Sequence, residues 1–188
     1  MKKTYVLDTN VLIQAPYAVE CFEENTVVLP MTVLEELDNM KKEEGEKGAN
    51  VRKVIRILDA HREKGNLLEG VRMEWGGILR VEKNYRNVEL PPDLPEHKSD
   101  NRILKVCVGL SNDLKEQVIL VTKDILLRIK AQLLGIQAED FGTEQVAVHE
   151  EQYLGRREVF VPEELFKDFK KKGVPVECVY SVSYTHLT

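Results

Sequence analysis

The chain is poor in cysteine, with three in 188 residues, Cys21, Cys107 and Cys178, odd in number and in no C-x-x-C pair. That pattern excludes a disulfide framework or a thiolate zinc knot and predicts reduced thiols. Long hydrophobic runs are missing too: nowhere do apolar residues extend over the roughly 18 to 20 positions that a bilayer-crossing helix requires. Met1-Lys2-Lys3 is a basic opening of the signal-peptide kind, but Asp8 ends the apolar run that Tyr5-Val6-Leu7 begins. A soluble, cytoplasmic protein with no membrane partner is expected. Basic charge is also in deficit, 27 Lys and Arg against 32 Asp and Glu, for a net charge of −5. Nucleic-acid binding normally leans on cations that neutralise phosphate, so such a partner has to be reached by other means. Aromatics make up only 6%, and Trp75 and Tyr85 alone do not make an evident stacking platform.

What is present suits one ordinary domain: 43% of residues are hydrophobic, and charged residues, at 31%, are mixed in sign. Tyr5-Val6-Leu7 and Val27-Val28-Leu29 read as short strands, the first followed by a helical turn at Val11-Leu12-Ile13 and the second by a helix from Thr32. Lys41 to Gly48 is charged and glycine-broken, which predicts a solvated loop or a frayed helix end. Val51, Val54, Ile55 and Leu58 recur at helical spacing, in a helix expected to run to about Lys64. Gly76-Gly77 between two strand-like runs predicts a hairpin. The segment 83–98, with Pro91, Pro92 and Pro95, predicts a long irregular connection of the kind that borders sites. Helical pattern returns from Ser99 to Leu110. Val118-Ile119-Leu120-Val121 reads as a buried parallel strand, and Ile125 to Leu134 as a helix ended by Gly135. Strands alternating with helices argue for an α/β layered fold with a parallel sheet, whose ligand site lies outside the carboxyl ends of the strands.

Four acids stand where such a site would be: Asp8, Glu36, Asp100 and Asp124. Each has a plain alternative. Asp8 and Asp124 could cap the helices that follow them, Asp100 could serve the dipole of its own helix, and Glu36 could be a solvated rim acid. A helical wheel separates Glu36 from its neighbour Glu35. With Thr32 as N-cap, Glu35 completes a capping box and faces water. Glu36 flanks the stripe of Val33, Leu34, Leu37 and Met40 and can point along the edge of the core. Asp100 precedes Ile103, Leu104 and Cys107 at spacings that share one inward face. Carboxylates that converge repel one another unless a cation sits among them. An all-oxygen set without His or Cys favours Mg²⁺ or Mn²⁺ over Zn²⁺. Such an ion would also draw phosphate to an acidic protein.

The stretches Leu7-Asp8-Thr9-Asn10-Val11-Leu12, Pro30-Met31-Thr32-Val33-Leu34-Glu35-Glu36-Leu37-Asp38, Ser99-Asp100-Asn101-Arg102-Ile103-Leu104 and Val121-Thr122-Lys123-Asp124 resemble the PIN-domain family of metal-dependent ribonucleases. The variety they most resemble is fused ahead of a PhoH-like ATPase. The resemblance implies a three-layer α/β/α sandwich over residues 1–148. It implies Asp8, Glu36, Asp100 and Asp124 as the catalytic and metal-binding acids, with Asn10 and Thr122 in support. Asp140 could add an outer carboxylate, though a structural role is the preferred reading. No G-x-x-x-x-G-K-[ST] phosphate loop occurs, so the ATP site of the fused family is absent. Residues 149–188 look like the connector toward that ATPase, and the last of them, 181–188, resemble translated cloning adaptor.

Lys41, Lys42, Lys47, Arg52, Lys53 and Arg56, with Arg128 and Lys130 after Asp124, offer cations for phosphate, although the neighbouring Glu43, Glu44 and Glu46 allow a merely solvated face. The resulting expectation is an endoribonuclease that uses Mg²⁺ or Mn²⁺ on single-stranded RNA, with a homo-oligomer left open. A haloacid-dehalogenase-like phosphatase also starts with an Asp after its first strand, but it needs a second Asp where Asn10 stands. A non-catalytic RNA- or partner-binding domain that regulates an attached ATPase is the remaining alternative.

Overall fold

The computed structural model describes residues 2–85 and 87–142; the expected connector 149–188, with Cys178, lies outside the described residues. A six-stranded sheet has the order β3-β4-β2-β1-β5-β6. Its strands are β1 (Lys3–Leu7), β2 (Thr26–Pro30), β3 (Val71–Arg72), β4 (Ile78–Glu82), β5 (Gln117–Val121) and β6 (Gln137–Glu139). The helices are α1 (Thr9–Gln14), α2 (Met31–Met40), α3 (Gly45–Lys64), α4 (Ser99–Asp113) and α5 (Ile125–Leu133). All pairings are parallel except β3 with β4, the hairpin that Gly76 turns at a φ of 89°.

Val6, Leu7, Val27, Val28, Leu29, Ile119 and Leu120 are fully buried, as strands covered by helices on both faces should be. From β1 the chain moves through β2 to the β4 edge, then returns past β1 to add β5 and β6. Right-handed crossovers therefore put α1, α2 and α3 on one face of the sheet and α4 and α5 on the other, giving the α/β/α layering. The reversal makes β1 the switch strand, and in open α/β sheets the carboxyl end of that strand is where ligands bind.

Three expectations change. Helix α3 begins at Gly45, inside the segment read as a solvated loop or frayed helix end, where Arg52 reaches back to the carbonyls of Lys41 and Glu43 at 3.1 Å each and ties the turn onto the helix. The capping box of α2 does not form: Pro30 is the N-cap, and the Thr32 hydroxyl donates to Asn84 Oδ1 at 3.3 Å. Glu35 pairs instead with Arg102 across to α4, at 3.1 Å. Strand β6 went unread because Gln137-Ala138-Glu139 is short and polar.

The proline-rich connection is pinned to α4. Asn101, fully buried, donates to the Pro95 carbonyl at 2.8 Å. A Cβ at Gly109 would come within 2.2 Å of the Tyr85 ring, so glycine is what lets the loop lie on the helix there. Cys21 and Cys107 are free thiols, and burial pushes Cys21 up to about 12 and Cys107 upward as well, which disfavours the thiolate at both. No helix among the described residues is long and apolar enough to cross a membrane.

Candidate metal centre

The register Leu7↔Val121 sets β1 and β5 level at their carboxyl ends, and the Asp8 amide extends the ladder to the Val121 carbonyl at 3.0 Å. Asp8 and Thr122 are therefore neighbours by construction. The buried Thr122 hydroxyl donates to Asp8 Oδ2 at 2.7 Å, and Asn10 Nδ2 lies 3.4 Å from the same oxygen. These contacts hold the Asp8 carboxylate in one orientation. Although Asp8 is the N-cap residue of α1, its side chain makes no cap hydrogen bond within the helix.

Only 4% of Asp8 is exposed. Burial pushes its carboxyl above the ordinary aspartate value, the Thr122 hydroxyl and the Thr9 amide pull it back, and the charges of Glu36 and Asp100 push it up again. Asp8, just past β1, thus feels two of the other expected acids, Glu36 of α2 and Asp100 of α4. Glu36, half-buried, accepts from the Thr9 hydroxyl. Sequence reading missed Thr9, whose only signal was its place between Asp8 and Asn10. Asp100, in the first turn of α4, accepts from Lys130 Nζ of α5 at 3.2 Å.

Asp124 differs. It caps α5, accepting from the amides of Leu126 and Leu127 at 2.7 and 3.3 Å. Its link to Asp8 runs through Thr122, whose hydroxyl oxygen accepts from the Asp124 amide at 3.1 Å while donating to Asp8. Asp140 faces Lys123 at 3.8 Å.

The expected phosphate-binding cations form two separate groups. Lys41 pairs with Asp38, Lys42 is exposed beside it, and Arg52 holds the turn between α2 and α3. Arg128 lies on α5 in an open pocket with Ile125, Ile129 and Gln132, its Nε buried without a partner. Among the described residues no hydrogen bond or ion pair joins the groups.

Among the described residues no three or more His, Cys, Asp or Glu side chains are grouped closely enough to hold a metal ion. Local partners account for this: helix amides hold Asp124 and the Lys130 ammonium holds Asp100. The chemistry of the donors nevertheless fits a hard divalent ion. They are oxygens throughout, Asp8 is held in place by Thr122 and Asn10, and its carboxyl, raised by burial first and by the charges of Glu36 and Asp100 after that, is one whose charged form a dication would favour.

Residues 5–142 match the family model described as PIN domain. The chain is 46% identical over 179 residues to Protein PhoH2 of Bacillus subtilis (strain 168), covering 92% of this chain and 40% of that protein. It is 39% identical over 149 residues to Protein PhoH2 of Mycolicibacterium smegmatis, covering 78% of this chain and 34% of that one. The chain thus spans about 40% or less of the length of these relatives. Two archaeal structures resemble it at lower similarity. A domain of a functionally unknown protein from Methanocaldococcus jannaschii has a TM-score of 0.44 and 24% identity, covering 74% of this chain and 91% of that one. A PilT N-terminus domain protein from Sulfolobus solfataricus P2 has a TM-score of 0.42 and 14% identity, covering 82% and 97%. The chain belongs to the PIN-domain family, whose members are typically metal-dependent nucleases, and is of the type found in the PhoH2 proteins.

Proposed function

We propose that the chain is a divalent-metal-dependent endoribonuclease that hydrolyses single-stranded RNA, with Asp8, Glu36, Asp100 and Asp124 as its carboxylates. The observation that carries this reading is the state of Asp8: buried, oriented by Thr122, and facing the charges of Glu36 and Asp100 while capping no helix. A carboxylate kept this way is suited to a cation.

A bound Mg²⁺ or Mn²⁺ would supply an activated water and offset the charge that develops at phosphorus. Asp8 and Asp100 are the carboxylates that would hold it, with Glu36 and Asp124 beside them. Thr122 and Asn10 fix Asp8, and the Thr9 hydroxyl fixes Glu36. Lys41, Lys42 and Arg128 offer positive charge to the flanking phosphates, and Arg52 supports the turn that presents the two lysines. Carboxylates at the strand ends suit a flexible single strand that can bend its backbone toward them. The preference for RNA over DNA rests on the family.

A second reading, a non-catalytic RNA- or partner-binding domain that regulates an attached PhoH-like ATPase, is favoured by the engagement of Asp100 and Asp124 with local partners. Matched labelled single-stranded RNA and DNA, incubated with Mn²⁺, with chelator and with the Asp8→Asn protein, decide between them. Cleavage of RNA that needs Mn²⁺ and Asp8 is the expected result. RNA bound but left intact favours the regulatory reading, and cleavage of DNA alone overturns the substrate assignment.

A further inference from the structure

Asp100 is the acid of this cluster that already has a cation beside it. Lys130 Nζ lies 3.2 Å from Asp100 Oδ2, and the side chains are 25% and 39% exposed. The two residues come from different helices, α5 and α4, which pack on one another, so the pair is made by the fold and not by neighbours along one helix. Lys130 sits in the last turn of α5, where a lysine is normally satisfied by the carbonyl end of its own helix. Here its ammonium is turned instead toward Asp100, one of the two acids whose charge reaches the buried Asp8 carboxylate.

We propose that Lys130 is a built-in counter-ion of the carboxylate centre: it competes with the divalent ion for Asp100 and so sets the metal affinity of the site. The proposal rests on the metal-dependent reading above. One ammonium cancels one carboxylate charge and keeps Asp100 turned toward α5. For Asp100 to serve a dication, Lys130 must give up its hydrogen bond and remain beside a centre of higher positive charge, a repulsion that weakens binding. Lysine suits such a hand-over, because its compact charge rides on a flexible four-carbon stem, and the released ammonium can turn to a phosphate oxygen of the substrate.

The test is calorimetric titration of the 188-residue chain with MnCl₂ alone, comparing wild type with Lys130→Met, Lys130→Gln, Lys130→Arg and Asp8→Asn. Lys130→Met and Lys130→Gln are expected to bind Mn²⁺ about tenfold more tightly, equivalent to about 1.4 kcal/mol. Lys130→Arg keeps the charge and should stay near wild type. Binding by the Met or Gln variant where wild type shows none also supports the proposal. Unchanged or weaker binding in both neutral variants overturns it, and if Asp8→Asn still abolishes binding, the metal reading stands alone. No binding by any of the proteins overturns both. Thermal melts in chelator provide the control, since a purely structural Lys130 would change the melting temperature without changing Mn²⁺ affinity.

Discussion

The β1–α1 and β5–α5 junctions are built alike and used differently. Both leave neighbouring parallel strands of the same sheet, and both place an aspartate at the N-cap of a helix, Asp8 in one and Asp124 in the other. Asp124 gives its carboxylate to two helix amides, whereas Asp8 gives α1 no side-chain cap and is held by Thr122 from the neighbouring junction. Topology puts an acid at the mouth of a sheet, and local hydrogen bonding decides whether it serves the helix or remains for chemistry. Asp8 pays in electrostatic strain for that freedom, since it is buried facing Glu36 and Asp100.

Breaking the Asp8 side of the comparison should have the largest effect. Partners that merely orient a metal ligand are typically worth about 10- to 100-fold in activity, so Asp8→Asn, which removes the ligand itself, should lose more than that. Single-turnover cleavage with Mn²⁺ measures the loss, and an unchanged circular dichroism spectrum shows that the fold is kept. Next comes the shared residue. Thr122→Val deletes the bond to Asp8 and leaves the Asp124 amide without its acceptor. Cleavage should fall by about 10- to 100-fold, and urea unfolding should show a loss of about 1 to 2 kcal/mol.

The Asp124 side separates capping from chemistry. Asp124→Ala should destabilise the chain by about 1 kcal/mol, while Asp124→Asn, itself a good cap, should unfold almost as wild type does. If Asp124 also serves the metal, both variants lose cleavage together despite their different stabilities.

The smallest effect is one of pH. The folded pKa of Asp8 is raised, so its contribution to stability is fully present below the ordinary aspartate value and is lost as pH rises through the folded value. In chelator, the stability of wild type relative to Asp8→Asn should therefore decline as pH rises from about 4, as urea melts of both proteins would show. Metal affinity should run the opposite way and weaken as pH falls through the same window, because the proton and the ion compete for one carboxylate.

Much of this was legible in the residues. Apolar runs of strand length, followed directly by acids, located the carboxyl end of the sheet, and the wheel of α2 correctly turned Glu35 to solvent and Glu36 to the rim. What escaped the sequence was tertiary in origin. Thr32 looked like a helix cap, but Asn84, 52 positions away, takes its hydroxyl. The start of α3 depends on Arg52 reaching back over a charged stretch that has no periodic pattern of its own. The pairing of Asp100 with Lys130 joins residues 30 positions apart, and no local pattern announces it.

The central claim is that these distant carboxylates share one divalent ion. Crystals grown in abundant manganese and measured at its absorption edge test that claim most directly. The account predicts an anomalous peak in direct coordination with Asp8 and Asp100, with Lys130 swung away from Asp100. Full manganese with no peak at these side chains, and Asp100 still paired with Lys130, would contradict it.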